Sequence, residues 1–483
     1  MSQTSVMDFV AVDELPARSR IAVLLNRGLF GSLVLLLCLA PIPYGTSHPW
    51  WKALFICLIL AATIVAVIES LLAGSTRIDG KTIFFPIAAM VVFAFLQTLP
   101  LPGNNTDPAL AVPIWNAVSA DPYQTRFVAL QLLALGLALA LLYRYASSER
   151  RIRVLIHIII GVAIVSAIFG ILRQSIQTQP GFILPILRPG AGYGQFVNRN
   201  HFGFMMEMAF GLGLGLILGG GINRKHAMVY VAMLLPIWTA LVLANSRGAI
   251  LAMIAQLAVA GLLITRIKKS SYEADSPLLR ASRSFVLRLS LVLVLVLGAV
   301  LGAIWVGGDR LISSFETVSG ELTPETAIAR DGVTRNEIWR ATLRMFLAHP
   351  TLGVGLGGYW IAITAHHQAS GTMTPQEAHN EYLELLASGG IVGFAIGVWF
   401  AVAVFRQARK NLNTLSTENR FRRAAWFGAV IGITGIAFHS LFDFGLHMMG
   451  NAFTFVALLM IITARVTTDK PRIAQRSGTQ SVL

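Results

Sequence analysis

Residues 154–173 read VLIHIIIGVAIVSAIFGILR, an apolar run broken by His157 and closed by Arg173. A helix on the surface of a soluble protein keeps a polar face, and this stretch has none. Its length at 1.5 Å per residue matches the roughly 30 Å hydrocarbon core of a bilayer. Working outward, comparable blocks fall at 24–43, 52–73, 83–101, 125–143, 201–220, 227–244, 248–265, 285–306, 389–405, 424–444 and 449–464. Together they predict an all-α polytopic membrane protein of about 12 transmembrane helices with both termini on one side.

Composition agrees. Only 13% of the 483 residues are charged, about half the share of a soluble domain, which excludes that class. The net charge of +15 is spread in short clusters between apolar blocks, a pattern of membrane orientation that predicts no nucleic-acid partner. Cys38 and Cys57, the only cysteines, both lie inside apolar runs, so a disulfide framework and a cysteine metal site are excluded. The first 20 residues are polar and no A-x-A-type cleavage site follows them, so the first apolar run is expected to stay in the mature protein.

Basic residues recur in alternate loops, around 77–81, 144–153, 224–225, 266–288 and 406–423, and at both ends. The positive-inside rule makes these segments cytoplasmic. The expected organisation is a cytoplasmic segment at 1–23, nine helices over 24–306, a large periplasmic loop at 307–388, three helices over 389–464 and a cytoplasmic tail at 465–483. On the positive-poor side, Lys52 and Arg126 sit at span ends and snorkel. Arg173, Arg188, Arg199, Arg247, Arg310, Arg330, Arg335, Arg340 and Arg344 also fall on that side, against the orientation signal, and suggest an anionic ligand at the outer face.

Within the long loop, TRNEIWRATLRMFLAHP (334–350) reads as an amphipathic helix with Ile338, Thr342, Met345 and Phe346 on one side, able to lie along a membrane surface. Gly353, Gly355 and Gly358 formally match G-x-G-x-x-G. Without a preceding strand that is no dinucleotide site, and we read a flexible turn that lets backbone approach a ligand. A helical run then stops at Gly389 and Gly390, with His379 and Tyr382 sharing a face with Leu386 at the bundle mouth. His379 reads either as a general base or as an interfacial histidine bonded to a carbonyl.

Arg199 and His201 in GAGYGQFVNRNHFG, and Arg247 in LANSRGAIL, lie beside apolar helices. The planar guanidinium fork suits phosphate oxygens, and the helix after Arg247 adds N–H groups; the alternative is an arginine paired with lipid phosphate. His439, Asp443 and His447 stand at i, i+4 and i+8, as if down one helix face. They read as a metal stripe or, with better geometry, as a buried His–Asp pair that orients helices or binds a sugar hydroxyl. Glu207, an intramembrane carboxyl, needs an outer arginine or histidine as partner.

FVNRNHFG, NSRG, RNEIWRATLRMFLAHPTLGVGLGGY, EAHNEYLELLASGGIVG and HSLFDFGLH, in that order, resemble the bacterial O-antigen ligase and polymerase superfamily of membrane glycosyltransferases. The likeness runs from about residue 190 to 455. It implies a GT-C-like helical bundle in the inner membrane with a periplasmic active site. It also implies an undecaprenyl-diphosphate-linked oligosaccharide as donor, an acceptor glycan or lipid A-core, and no cofactor. Arg199 and Arg247 would bind the diphosphate and His379 would activate the acceptor hydroxyl, with Arg335, Arg340 and Arg344 as further anion ligands. Arginines can stabilise a diphosphate leaving group without a metal. The RNHFG and HSLFDFGLH segments look more like polymerase-type members, which would make an O-antigen, exopolysaccharide or capsule chain. A ligase acting on lipid A-core is the alternative. A lipid-linked sugar flippase is a second, although the halves show no repeat and the polar residues cluster at outer helix ends. A non-enzymatic scaffold would leave the outer arginines unexplained.

Overall fold

The computed structural model describes residues 17–74, 81–100, 117–266, 335–367, 375–415 and 419–465. Its helices are α1 (Ala17–Leu39), α2 (Pro49–Ala73), α3 (Lys81–Leu96), α4 (Pro122–Tyr145), α5 (Glu149–Ile176), α6 (Arg199–Leu218), α7 (Arg224–Leu243), α8 (Arg247–Arg266), α9 (Arg335–Ala348), the single turn α10 (Tyr359–Ala362), α11 (Glu381–Thr414), α12 (Arg420–His439) and α13 (Met449–Thr463). Among the described residues there is no strand, only two isolated β-bridges. Seven helices, α1, α2, α4, α5, α6, α7 and α11, are long and apolar enough to cross a membrane. α3, α8 and α13 are shorter apolar helices. The ninth expected span at 285–306, with Arg310 and Arg330, lies outside the described residues.

At the centre runs α6, buried on almost every side. Its glycines explain how it packs: a Cβ on Gly215 would come within 2.1 Å of Gly428 Cα, and one on Gly211 within 2.6 Å of Gly432 Cα. The α6 and α12 backbones therefore touch, the close approach that small residues permit between membrane helices. Gln256 of α8 bridges both, donating to the carbonyls of Glu207 and Ile431. At the far end of α4, Arg144 and Glu69 pair at 2.7 Å.

At the near end, α9 and the segment after it form a small apolar core of their own around Ala341, Met345, Val354 and Tyr359. The apolar face of α9 is spent on the protein: Thr342 shares a hydrogen bond with Tyr359 at 2.6 Å, and Trp339 Nε1 donates to Ala378 O.

Two expectations change here. The helix does not stop at Gly389 and Gly390; it breaks at Gly390, at φ 61° and ψ −165°, and resumes. A break leaves backbone groups without helical partners, and the loop after α9 supplies them. Ile391 N–H donates to Pro350 O and Val392 N–H to Thr351 O, while Val354 and Gly355 donate to the carbonyls of Ala387 and Ser388. The glycines at 353 and 355 are required because backbone meets protein there, not ligand: a Cβ on Gly355 would lie 2.2 Å from Ser119 Oγ. Gln97, just past α3, completes the stitch, donating to Leu352 O and Ser388 O and accepting from Leu356 N–H.

Candidate active site

The starts of four helices meet beside Asp443. Asn198 caps α6 by accepting from Asn200 N–H. Ser246, just before α8, accepts from Ala249 N–H and donates to Asn200 Oδ1 at 2.7 Å. Arg335 opens α9, and His379 precedes Asn380, whose side chain caps α11 by accepting from Tyr382 and Leu383 N–H. Converging helix N-termini give a partial positive charge, which suits an anion.

Asp443 gathers them. Its carboxylate accepts from Asn200 Nδ2 and from Phe444 N–H, and stands 3.6 Å from His201 Nε2, 3.5 Å from His379 Nδ1 and 3.5 Å from Arg335 Nη2. Burial pushes this carboxyl up, but the hydrogen bonds and charges of His201 and His379 outweigh it and hold it well below the usual carboxylate range. His379 occupies a left-handed backbone conformation at φ 51°, a strain found where the surroundings fix a functional side chain. Arg199, Arg247 and Arg335 lie close enough that the latter two repel the charge on Arg199. Three guanidiniums, one carboxylate and two imidazoles thus share one end of the bundle.

Of the residues expected from sequence, Arg199, His201, Arg247, Arg335, His379 and Asp443 come together. Arg340 is exposed, and Arg344 turns to donate to His366 O, so neither is a partner of Asp443. Tyr382 does not share a helix face with His379, because the helix begins only after His379; its hydroxyl donates to Ala437 O. The stripe of His439, Asp443 and His447 is not a stripe. α12 ends at His439, Asp443 lies in the turn, and His447 closes a 3-10 turn. They therefore diverge: His439 Nδ1 pairs with Glu207 Oε1, and His447 Nε2 faces Glu384 Oε1 at 3.7 Å. Arg173 is also reassigned. It is buried, and donates to the carbonyls of Arg188, Ala191 and Gly194 and to Gln177 Oε1, so it shapes the loop before α6 instead of awaiting an anion.

The O-antigen ligase family model matches residues 231–398. That match supports membership in the O-antigen ligase and polymerase superfamily. No curated protein matches the chain. The matched stretch carries Arg247, Arg335 and His379, while Arg199, His201 and Asp443 lie outside it. Members of this family act as glycosyltransferase-like enzymes on lipid-linked glycan and acceptor substrates.

Sequence reading missed Asn200 and Ser246. Short polar residues at helix starts are common caps, and nothing in their spacing announces that they meet across two helices. It also passed over Glu377, Glu381 and Glu384, which look like the polar start of any helix.

Proposed function

We propose that the protein is a polysaccharide polymerase of the inner membrane that transfers an undecaprenyl-diphosphate-linked glycan to an acceptor sugar hydroxyl at the periplasmic face. The observation that carries this reading is the meeting of Arg335 and His379 at Asp443, with Arg199 close enough to Arg247 and Arg335 to feel their charge. Asp443 faces His379 Nδ1 and so favours the tautomer with its proton there, leaving Nε2 to accept the acceptor's proton. The deprotonated oxygen attacks the anomeric carbon, the bond from that carbon to the phosphate oxygen breaks, and the diphosphate departs with the electron pair. Charge grows on the leaving group as that bond breaks, and guanidiniums fixed beforehand stabilise it without the reorganisation that water would need. A single displacement inverts the anomeric centre. The chemistry proposed needs no metal.

The distribution of basic residues supports placing this end of the bundle outside, with both termini inside, within a bundle of about 12 spans. Attachment of the finished glycan to lipid A-core would use the same groups, and the RNHFG and HSLFDFGLH segments favour the polymerase. The test is the glycan ladder of a deletion strain complemented with the intact chain or with His379→Ala, with expression verified. Single repeat units in the deletion, long glycans with the intact chain and none with His379→Ala support the proposal. Full-length glycan accumulating on the lipid carrier makes the protein a ligase, and wild-type glycan with His379→Ala removes His379 from catalysis.

A further inference from the structure

The loop between α5 and α6 carries QPGFILPILRPG at 179–190, and much of its apolar surface faces outward. Ile183 is 77% exposed, and Pro180, Pro185 and Ile186 are exposed with it. The backbone at this tip is strained. Leu184 N–H donates to Phe182 O and closes a three-residue turn with Ile183 at its centre, at φ 60°, a conformation that is costly for a β-branched residue. Glycine would take that turn freely, so the fold is not what favours isoleucine here. An apolar surface that seats the side chain would favour it.

The tip is held from below. Arg173 donates to the carbonyls of Arg188, Ala191 and Gly194, and Gln177 Nε2 to those of Gln179 and Leu187. Gly181 N–H donates to Leu187 O, Leu187 N–H to Leu184 O, and Ile186 N–H to the Tyr44 hydroxyl in the α1–α2 loop. Pro180 and Pro185 have no N–H to satisfy. A segment can leave water only when its backbone groups are satisfied within the protein, and most donors of this tip are.

Its position says what covers it. Phe182 packs on Phe169 of α5, ring centres 5.8 Å apart, and Phe169 lies seven residues, about 10 Å, short of the helix end at Ile176. The tip therefore folds back along α5. On that helix Val165, Leu172 and Ile176 stand at i−4, i+3 and i+7 from Phe169, share its face and are exposed. Because α5 is long and apolar enough to cross a membrane, this face meets lipid. No Asp or Glu occurs between Glu149 and Glu207, and the exposed Arg188 follows the tip, a charge that matches lipid phosphates.

We propose that residues 180–187 insert into the interface of the phospholipid leaflet at the Asp443 end of the bundle, with Ile183 and Ile186 below the headgroups and Arg188 at the level of the phosphates. Apolar interfacial segments sink about 5–10 Å past the headgroup boundary, which agrees with the depth of Phe169. The same loop ends at Arg199, so its anchor sets the height of that guanidinium against the lipid phosphates. The inference depends on the membrane and not on the reaction catalysed.

The test spin-labels Ile183→Cys in the full-length Cys38→Ala/Cys57→Ala protein, in nanodiscs of phosphatidylethanolamine and phosphatidylglycerol, with Val165→Cys as the lipid-facing reference and the same label on glutathione as the aqueous one. Collisions with oxygen, which partitions into lipid, are compared with collisions with a nickel chelate that stays in water. The oxygen-to-nickel ratio at Ile183 should exceed the aqueous reference at least fivefold, in the direction of Val165. A ratio equal to the aqueous reference puts the tip in water and overturns the proposal. Few collisions with either reagent would mean that protein, such as a second copy of the chain, covers the tip, which overturns it equally. Should a label at the strained turn disturb the loop, Ile186→Cys, outside that turn, carries the same expectation and the same failures.

Discussion

His439 Nδ1 lies 2.7 Å from Glu207 Oε1, with both side chains sealed from solvent. The imidazole also stacks on Phe204 at 4.2 Å, and a Cβ on Gly248 would come within 2.6 Å of its Nε2. One ring thus locks α12, α6 and α8 together one turn below Asp443. Removing one member leaves the other's polar group unsatisfied in the core, which costs roughly 1–3 kcal/mol. Glu207→Ala and His439→Ala should each lower the thermal unfolding midpoint, and the double variant should fall short of their sum. Strict additivity in detergent melts would mean that the two side chains do not act as a pair.

Asp443 has its folded acidity raised by His201 and His379, so its folded pKa lies below the unfolded value of about 3.9. The unfolded chain therefore binds the proton first, and the carboxylate's contribution is complete above about pH 4 and fades as pH falls further. The stability gap between the parent protein and Asp443→Asn should narrow as pH falls below about 4. Melting curves from about pH 5 downward decide the matter, and a gap that widens over that range contradicts it.

In an exposed helix, exchanging glycine for alanine stabilises by about 1 kcal/mol. Gly215→Ala should do the reverse, since its Cβ would meet Gly428 Cα at 2.1 Å, and overpacking of this kind costs roughly 1–3 kcal/mol. Gly261→Ala on α8 has open space around it and is the control, expected to be neutral or slightly stabilising. If both variants melt alike, the α6–α12 contact is looser than described.

Arg173 satisfies three carbonyls and one side-chain amide at once. Lysine cannot reproduce that planar fork, so Arg173→Lys should lose nearly as much as Arg173→Ala, roughly 1–3 kcal/mol. Limited proteolysis should show earlier cleavage within residues 178–198 in both variants. Protection equal to the parent would mean that the loop keeps its shape without the guanidinium.

Much of this was legible beforehand because apolar length is a one-dimensional property. Wherever an expected span falls on described residues, a helix is found there, and the histidine partner anticipated for Glu207 is His439. What could not be read depends on how the chain leaves a helix. The i, i+4, i+8 reading of His439, Asp443 and His447 holds only while the helix continues, and it ends at the first of them. An arginine at an outer loop looks the same in sequence whether it faces a ligand or, like Arg173, the carbonyls of its own loop. Likewise the glycines at 353 and 355 announce a need for space, but not that Ser388 and Ser119 fill it.

The hydrogen bonds of Gln97 hang the segment that follows α9 on the end of α3 as well as on α11. Arg335 is thereby levered from a point more than two hundred residues earlier in the chain. The early helices serve as a fulcrum, and a lesion near Gln97, which makes no contact with Asp443, would be felt as a guanidinium out of place.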